Sequence, residues 1–303
     1  MFRGITLVFL GACSFGILST FVKLAYKEGF TLGDVTGTQV LFGLIFLWVI
    51  VLLRQLLGSK SNGASFGEKL KLAAMGTSTG LVSIFYYKCV QTVPASIAIL
   101  LLMQFTWMSL VVEAIMKRKL PKLSQVATVL LVLFGTALAG RLFSGSLTDF
   151  DWHGIGFGLL AAFCYTLFLT VNGSAGNNMH PTTKSALILT GACVLVLSVF
   201  PPEFLVNGAL AKGLWKWGII LSLFGTVIPP LFFAYGIPRI GLGLSAILSS
   251  AELPVAVLMS SIVLQEEVWP VQWLGVAIIL AAITLSNLHS IRKTKQATQL
   301  ATA

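Results

Sequence analysis

Charge is scarce in this chain. Only 10% of its 303 residues are Asp, Glu, Lys or Arg, against about 25% in soluble domains, so most of the surface must face something other than water. Acidic side chains are the scarcest, ten against twenty basic ones. Long polar stretches are also missing, which leaves no room for a soluble catalytic or nucleotide-binding domain. Cys13, Cys89, Cys164 and Cys193 lie in or beside different apolar runs without paired spacing, which argues against a disulfide framework and a zinc site. His153, His180 and His289 are scattered over loops and ends, so no metal cluster is expected. There is no G-x-x-x-x-G-K-[ST] segment, hence no ATP-driven step within the chain. Gly241-x-Gly243-x-x-Ala246 imitates a dinucleotide fingerprint, but it opens an apolar run with no preceding βαβ unit. No Ser/His/Asp set appears either, and neither an enzyme nor a cofactor is expected.

Hydrophobic residues are abundant, at 56%, and the mean hydropathy is +0.93. The sequence resolves into ten apolar runs, near 4–26, 35–56, 70–88, 93–116, 123–141, 154–173, 183–202, 214–236, 241–264 and 270–289. Each approximates the ~20 residues with which an α-helix crosses a bilayer core. The expected fold class is an all-α integral membrane protein of ten transmembrane helices, multi-pass in the cell membrane. The start, Arg3 followed by an apolar run and Leu10-Gly11-Ala12-Cys13, resembles a lipoprotein signal, yet the run continues to Val22 and fits a spanning helix better. In a membrane protein the net charge of +10 reports orientation rather than nucleic-acid binding. With the amino terminus inside, fourteen Lys and Arg collect on the inner side. The outer side receives Lys27, Lys88, Arg141, Lys212 and Lys216, with Lys23 just inside the outer end of the first run. Both termini are therefore expected in the cytoplasm.

The halves repeat at a shift of about 150 residues. Gly4-Ile5 meets Gly154-Ile155, Gly76-Thr77 meets Gly225-Thr226, Tyr86 meets Tyr235, and at a shift of 147 Gln125 meets Gln272. The expected units are a first repeat at 1–142, a second at 152–290 and a basic cytoplasmic tail at 291–303. Because five helices make an odd number, the second repeat enters the membrane upside down. Inverted repeats of this kind are an architecture of secondary transporters, with the solute site near the midplane between the halves.

The polar residues inside the runs are the site candidates. Glu252 falls at the centre of the ninth run, where a charge costs roughly 3 kcal/mol by insertion scales. Pro254, two residues on, removes a backbone donor. Ser245, Ser249 and Glu252 share a helical face, as do Leu100, Gln104 and Trp107. Tyr86, Tyr165 and Tyr235 offer walls, Asn172 a polar contact, and Lys23 either a binding charge or a snorkelling side chain. Pro229 and Pro230 predict a kinked or interrupted eighth helix, and Gly80, aligned with Pro229, predicts softness at the same level of the third. Pro254 completes the expected hinges. At a shift of 149 the counterpart of Glu252 is Met103. Glu113, beside Lys117, suggests a helix-end ion pair.

The whole chain, about residues 4 to 289, resembles the EamA-like ten-helix transporters of the drug/metabolite transporter superfamily. The likeness lies in the five-plus-five layout, in Gly16-Ile17-Leu18-Ser19-Thr20-Phe21-Val22-Lys23, in Glu252-Leu253-Pro254-Val255-Ala256-Val257, and in Leu264-Gln265-Glu266 followed by Gln272-Trp273-Leu274-Gly275. Lys119 stands where the first repeat would carry the acidic residue matched by Glu266, and Gln265 replaces a usual glycine. The resemblance implies a basket with a central cavity and a secondary active transporter for an amino acid, related metabolite or drug-like compound, moved outward by alternating access. A proton is the candidate coupling ion, through a change of protonation at Glu252. Two other readings stand beside this one: an uncoupled facilitator or exchanger, and a non-transporting membrane partner protein. The expected partners are the small-molecule solute and membrane lipid, with monomer and homodimer both open.

Overall fold

The computed structural model describes residues 2–58, 64–92, 95–139, 152–265 and 267–285. Regular structure among them is helical throughout. In chain order the helices are α1 Phe2–Lys27, α2 Leu32–Leu56, α3 Phe66–Thr92, α4 Ala95–Leu102, α5 Phe105–Lys117, α6 Leu123–Ala139, α7 Trp152–Ser174, α8 Pro181–Val199, α9 Trp215–Leu221, α10 Ile228–Ile240, α11 Leu242–Ser249, α12 Glu252–Val263 and α13 Pro270–Leu285. Seven stretches are long and apolar enough to cross a membrane: α1, α2, Ala98–Lys117, α7, α8, Leu210–Ile240 and Leu242–Val263. Helices α6 and α13 are apolar but shorter. At 27 residues α3 is long enough, but Glu68, Lys69, Lys71 and Lys88 dilute its apolar character. The tail at 291–303 and Glu266 lie outside the described residues.

Helix starts follow from their capping residues. Thr31 and Asp34 form a reciprocal capping box at α2, and Ser65 and Glu68 make the same exchange at α3. Gln125 accepts from Lys122 N at 3.1 Å, and Gln272 accepts from Trp269 N at 3.1 Å. These two glutamines therefore occupy the same cap position 147 residues apart.

Two spans are broken, and the breaks share that register. Between α4 and α5 the amides of Gln104 and Thr106 turn to carbonyls three residues back, Leu101 and Met103; between α11 and α12 those of Ala251 and Leu253 do the same with Leu248 and Ser250. The break thus precedes Glu252. Pro254 is not its cause, because the equivalent position in the first half is Trp107 and that half breaks identically. Proline sits here in the first turn of α12, where its missing N–H has no intrahelical partner to lose, and Leu253 N–H occupies the Ser250 carbonyl at 3.3 Å. The register also replaces Met103 as the counterpart of Glu252: 147 residues back lies Phe105.

The eighth run changes to a π-helix over Ser222–Val227 immediately before Pro229 and Pro230, which open α10. The prolines cannot serve the carbonyls one turn earlier, and Ser14 Oγ on α1 donates to Phe224 O at 2.8 Å. Gly80 behaves differently from its aligned proline. Helix α3 runs unbroken through it, and the glycine lies against the Ala192 carbonyl of α8.

Packing runs mainly between the halves. Helix α1 lies on α10, α11 and α12, whereas α7 lies on α3, α4 and α5; α2 and α3 pack on α8. The main core joins Val8 and Ala12 of α1, Phe105 of α5, Tyr165 and Phe168 of α7, Phe233 of α10, Leu248 of α11 and Ile279 of α13.

Candidate solute site

Glu252 opens α12 with its backbone pressed against α1, where a side chain on Gly16 would overlap the Glu252 carbonyl. Its neighbours Ala251, Leu253 and Pro254 are buried, but Glu252 keeps part of its own surface accessible. One hydrogen-bond neighbour reaches it among the described residues, the Tyr165 hydroxyl, 3.5 Å from Oε2. Ser249 Oγ is buried beside that hydroxyl. Tyr86 packs against the same apolar core as Tyr165. An aromatic group continues from Tyr165, with buried Phe105 at 4.5 Å between ring centroids, buried Phe168 at 5.7 Å and partly buried Phe15 at 6.1 Å, and with Phe233 touching Phe15 and Phe168. Tyr165 therefore bridges the starts of α5 and α12, the register-equivalent elements that follow the two breaks.

Of the residues singled out in the sequence, Glu252, Ser249, Tyr165 and Tyr86 come together here. The others have different employment. Gln104 donates to Leu100 O at 3.0 Å and accepts from Trp107 Nε1 at 2.9 Å, closing the first break from the outside, with Trp107 41% exposed. Ser245 bonds back to Gly241 O at 2.7 Å. Asn172 donates to Phe168 O at 2.9 Å, and its own carbonyl receives Lys184 Nζ at 2.7 Å. Tyr235 meets His180 Nε2 at 3.1 Å, at the start of α8. Lys23 is partly buried near the end of α1.

Sequence reasoning missed Phe15, Phe105, Phe168 and Phe233, because phenylalanine is everywhere in such a chain and nothing local distinguishes these four. It also missed Lys184, which is 1% exposed and spans Asn172 O and Asn177 Oδ1, so that its ammonium caps the end of α7. Glu113 was legible only in part. Besides pairing with Lys117 it accepts from Gly243 N at 2.8 Å, and Gly243 is a glycine because any side chain there would overlap the carboxylate. That contact explains the false dinucleotide fingerprint.

A helical bundle of membrane-spanning length, two broken spans with a partly buried glutamate at one of the breaks, and no cluster of metal ligands among the described residues together make the framework of a membrane transporter. The chain belongs to the EamA-like transporter family, which it matches over residues 2–141 and again over 152–288. It is accordingly a multi-pass membrane transporter of small solutes, not an enzyme. It is similar to the threonine/homoserine exporter RhtA of Escherichia coli K12, 27% identical over 240 residues that cover 77% of this chain and 76% of that one. It is also similar to the uncharacterized transporter YcbK of Bacillus subtilis, 23% identical over 97% of this chain and 95% of that one. A crystal structure 15% identical in sequence superposes with a TM-score of 0.72, covering 93% of this chain and 98% of that one, and shares the fold.

Proposed function

We propose that the protein is a secondary active exporter of a small organic solute, working by alternating access with Glu252 as the coupling group. The observation that carries this reading is the placement of Glu252: a carboxyl group set in an apolar bundle, at a break in its span, on a residue that is only partly buried and with one tyrosine hydroxyl in hydrogen-bond reach among the described residues. A structural carboxylate in such a place would have its oxygens occupied by donors, since a buried charge left unpaired is strongly destabilising. A carboxyl that binds a proton in one conformation and releases it in the other avoids that penalty for part of the cycle and links proton entry to solute exit. Tyr165, Ser249 and Tyr86 then contact the solute, with Tyr165 holding the carboxyl. The double family match supports two repeats, and the common 147-residue register of breaks and caps supports their equivalence. In the orientation that follows from the basic residues, ten spans place both termini in the cytoplasm of a cell whose plasma membrane holds the protein.

Threonine and homoserine, named for the relative, are the first solutes to try. The test is efflux from proteoliposomes with and without a pH gradient. Coupling predicts that the gradient drives efflux in the parent protein and that Glu252→Gln loses the gradient dependence while counterflow of solute survives. Gradient-driven efflux that persists in Glu252→Gln sinks the coupling role.

A further inference from the structure

We infer that Glu113 is a latch between the two halves, built at one end of the bundle only, and that it biases the protein toward the conformation in which that end is closed. Glu113 belongs to α5, in the first half, and is buried to 9% exposure. Its Oε2 accepts the Gly243 N–H of α11, in the second half, at 2.8 Å, while Oε1 accepts from Lys117. Helix α11 has no side-chain cap of its own, since its N-cap is Gly241 at φ +85°. The carboxylate from the other half supplies that cap, and a charged acceptor at a helix start is among the stronger hydrogen bonds available. The fit requires glycine. A methyl group on Gly243 would overlap Oε2, and one on Gly241 would lie 2.9 Å from Oε1.

The rest of that end is shut as well. Helix α10 packs on α7 and α8, with Gly173 against Ile237 and Tyr235 on His180, and α11 packs on α5 and α7. The repeat supplies a control within the same molecule. The equivalent pairs at the opposite end are α3 with α1, α3 with α2 and α4 with α12, and among the described residues none packs to a comparable extent. At the 147-residue register Glu113 corresponds to Ser260, Gly241 to Pro94 and Gly243 to Ser96, so the opposite end has neither the carboxylate nor the two glycines. The two halves are thus tied at one end by a charge-assisted bond, and alternating access must break it once per cycle. In the orientation proposed above, on which only the side assignment rests, the latched end is cytoplasmic and the resting state faces outward.

The experiment uses Leu110→Cys in a background whose four native cysteines are replaced by alanine. Leu110 is buried, one turn deeper than Glu113 on the same face. Its alkylation by a membrane-impermeant maleimide is timed in inside-out and right-side-out vesicles, with size-exclusion profiles confirming that each variant is folded. Glu113→Ala and Gly243→Ala should each raise the labelling rate in inside-out vesicles by roughly three- to thirty-fold, the range for losing a helix cap. The double variant should be no faster than Glu113→Ala, because the added methyl then has no carboxylate to displace. Glu113→Gln stands in should the alanine variant not fold. Unchanged labelling in folded single variants overturns the latch, and so does a double variant whose effect is the product of the singles. An increase confined to right-side-out vesicles upholds the latch and overturns the cytoplasmic assignment.

Discussion

Glu252 matters because of what does not touch it. In lipid a carboxylate normally acquires donors for its oxygens, as Glu113 has done with Lys117 and Gly243 N–H; Glu252 has one hydrogen-bond neighbour among the described residues, a tyrosine at 3.5 Å. The two residues have the same functional group and opposite employment. Ser14 shows the same logic for neutral groups, since its hydroxyl occupies a carbonyl stranded by the prolines of another span. Ser14→Ala leaves Phe224 O without that partner, which costs about 1–3 kcal/mol for a buried group. The expected outcome is a lower melting temperature of the detergent-solubilised protein, and an unchanged melt would mean that water replaces the hydroxyl. Glu252 and the eighth-span prolines were visible in the sequence because a charge or a proline in an apolar run is conspicuous. Ser14 was not, since small polar residues are common in such helices and their partners lie 210 positions away.

Among the elements, the broken spans and the capped start of α8 carry the argument. His180 closes α8 with Nδ1 accepting the Thr182 N–H at 3.3 Å, so Nε2 bears the proton and donates to Tyr235. Burial, and then the positive charge of Arg54, hold His180 below the ordinary histidine range. The unfolded chain therefore binds the extra proton first, and stability falls as the pH drops below about 6.5. His180→Asn keeps a capping side chain but removes the titration. Melting curves from pH 7.5 to 5 should show a decline in the parent that is absent in His180→Asn; parallel curves would assign the decline elsewhere. The eighth span offers a second check on elements. Pro229→Ala with Pro230→Ala restores two backbone donors, so the π-stretch should convert to α-helix, raise the melting temperature and slow transport. A variant that is stabilised and fully active would remove the hinge role from these prolines.

At the scale of the whole molecule, the halves are interlocked rather than adjacent, with α1 seated on α10 to α12 and α7 on α3 to α5. Each half on its own would expose the faces that these helices cover. Chains divided within 140–151 should each fail to give a monodisperse, protease-resistant species in detergent, whereas co-expression should restore one. Two independently stable halves would contradict the packing. The crossing of α3 and α8 is reciprocal and tight, with Gly76 against the Ile188 carbonyl and Gly191 against the Ala73 carbonyl.

Composition and periodicity determined by themselves that the chain lives in a membrane and that it is helical, because lipid forces every backbone group into local hydrogen bonds and so writes the fold's outline into runs of ~20 residues. They also brought forward Glu252, Ser249, Tyr165 and Tyr86, which the fold gathers. Only the tertiary structure decided that the ninth span breaks before Glu252 and not at Pro254, that Phe105 is the carboxylate's counterpart, that Gln104, Ser245, Asn172 and Tyr235 hold local structure, and that the ends of the bundle differ. Those outcomes depend on which side chain from a distant helix completes a hydrogen bond or fills a space. A linear pattern of polarity records that a group is costly, and the partner that relieves the cost exists only once the halves have packed.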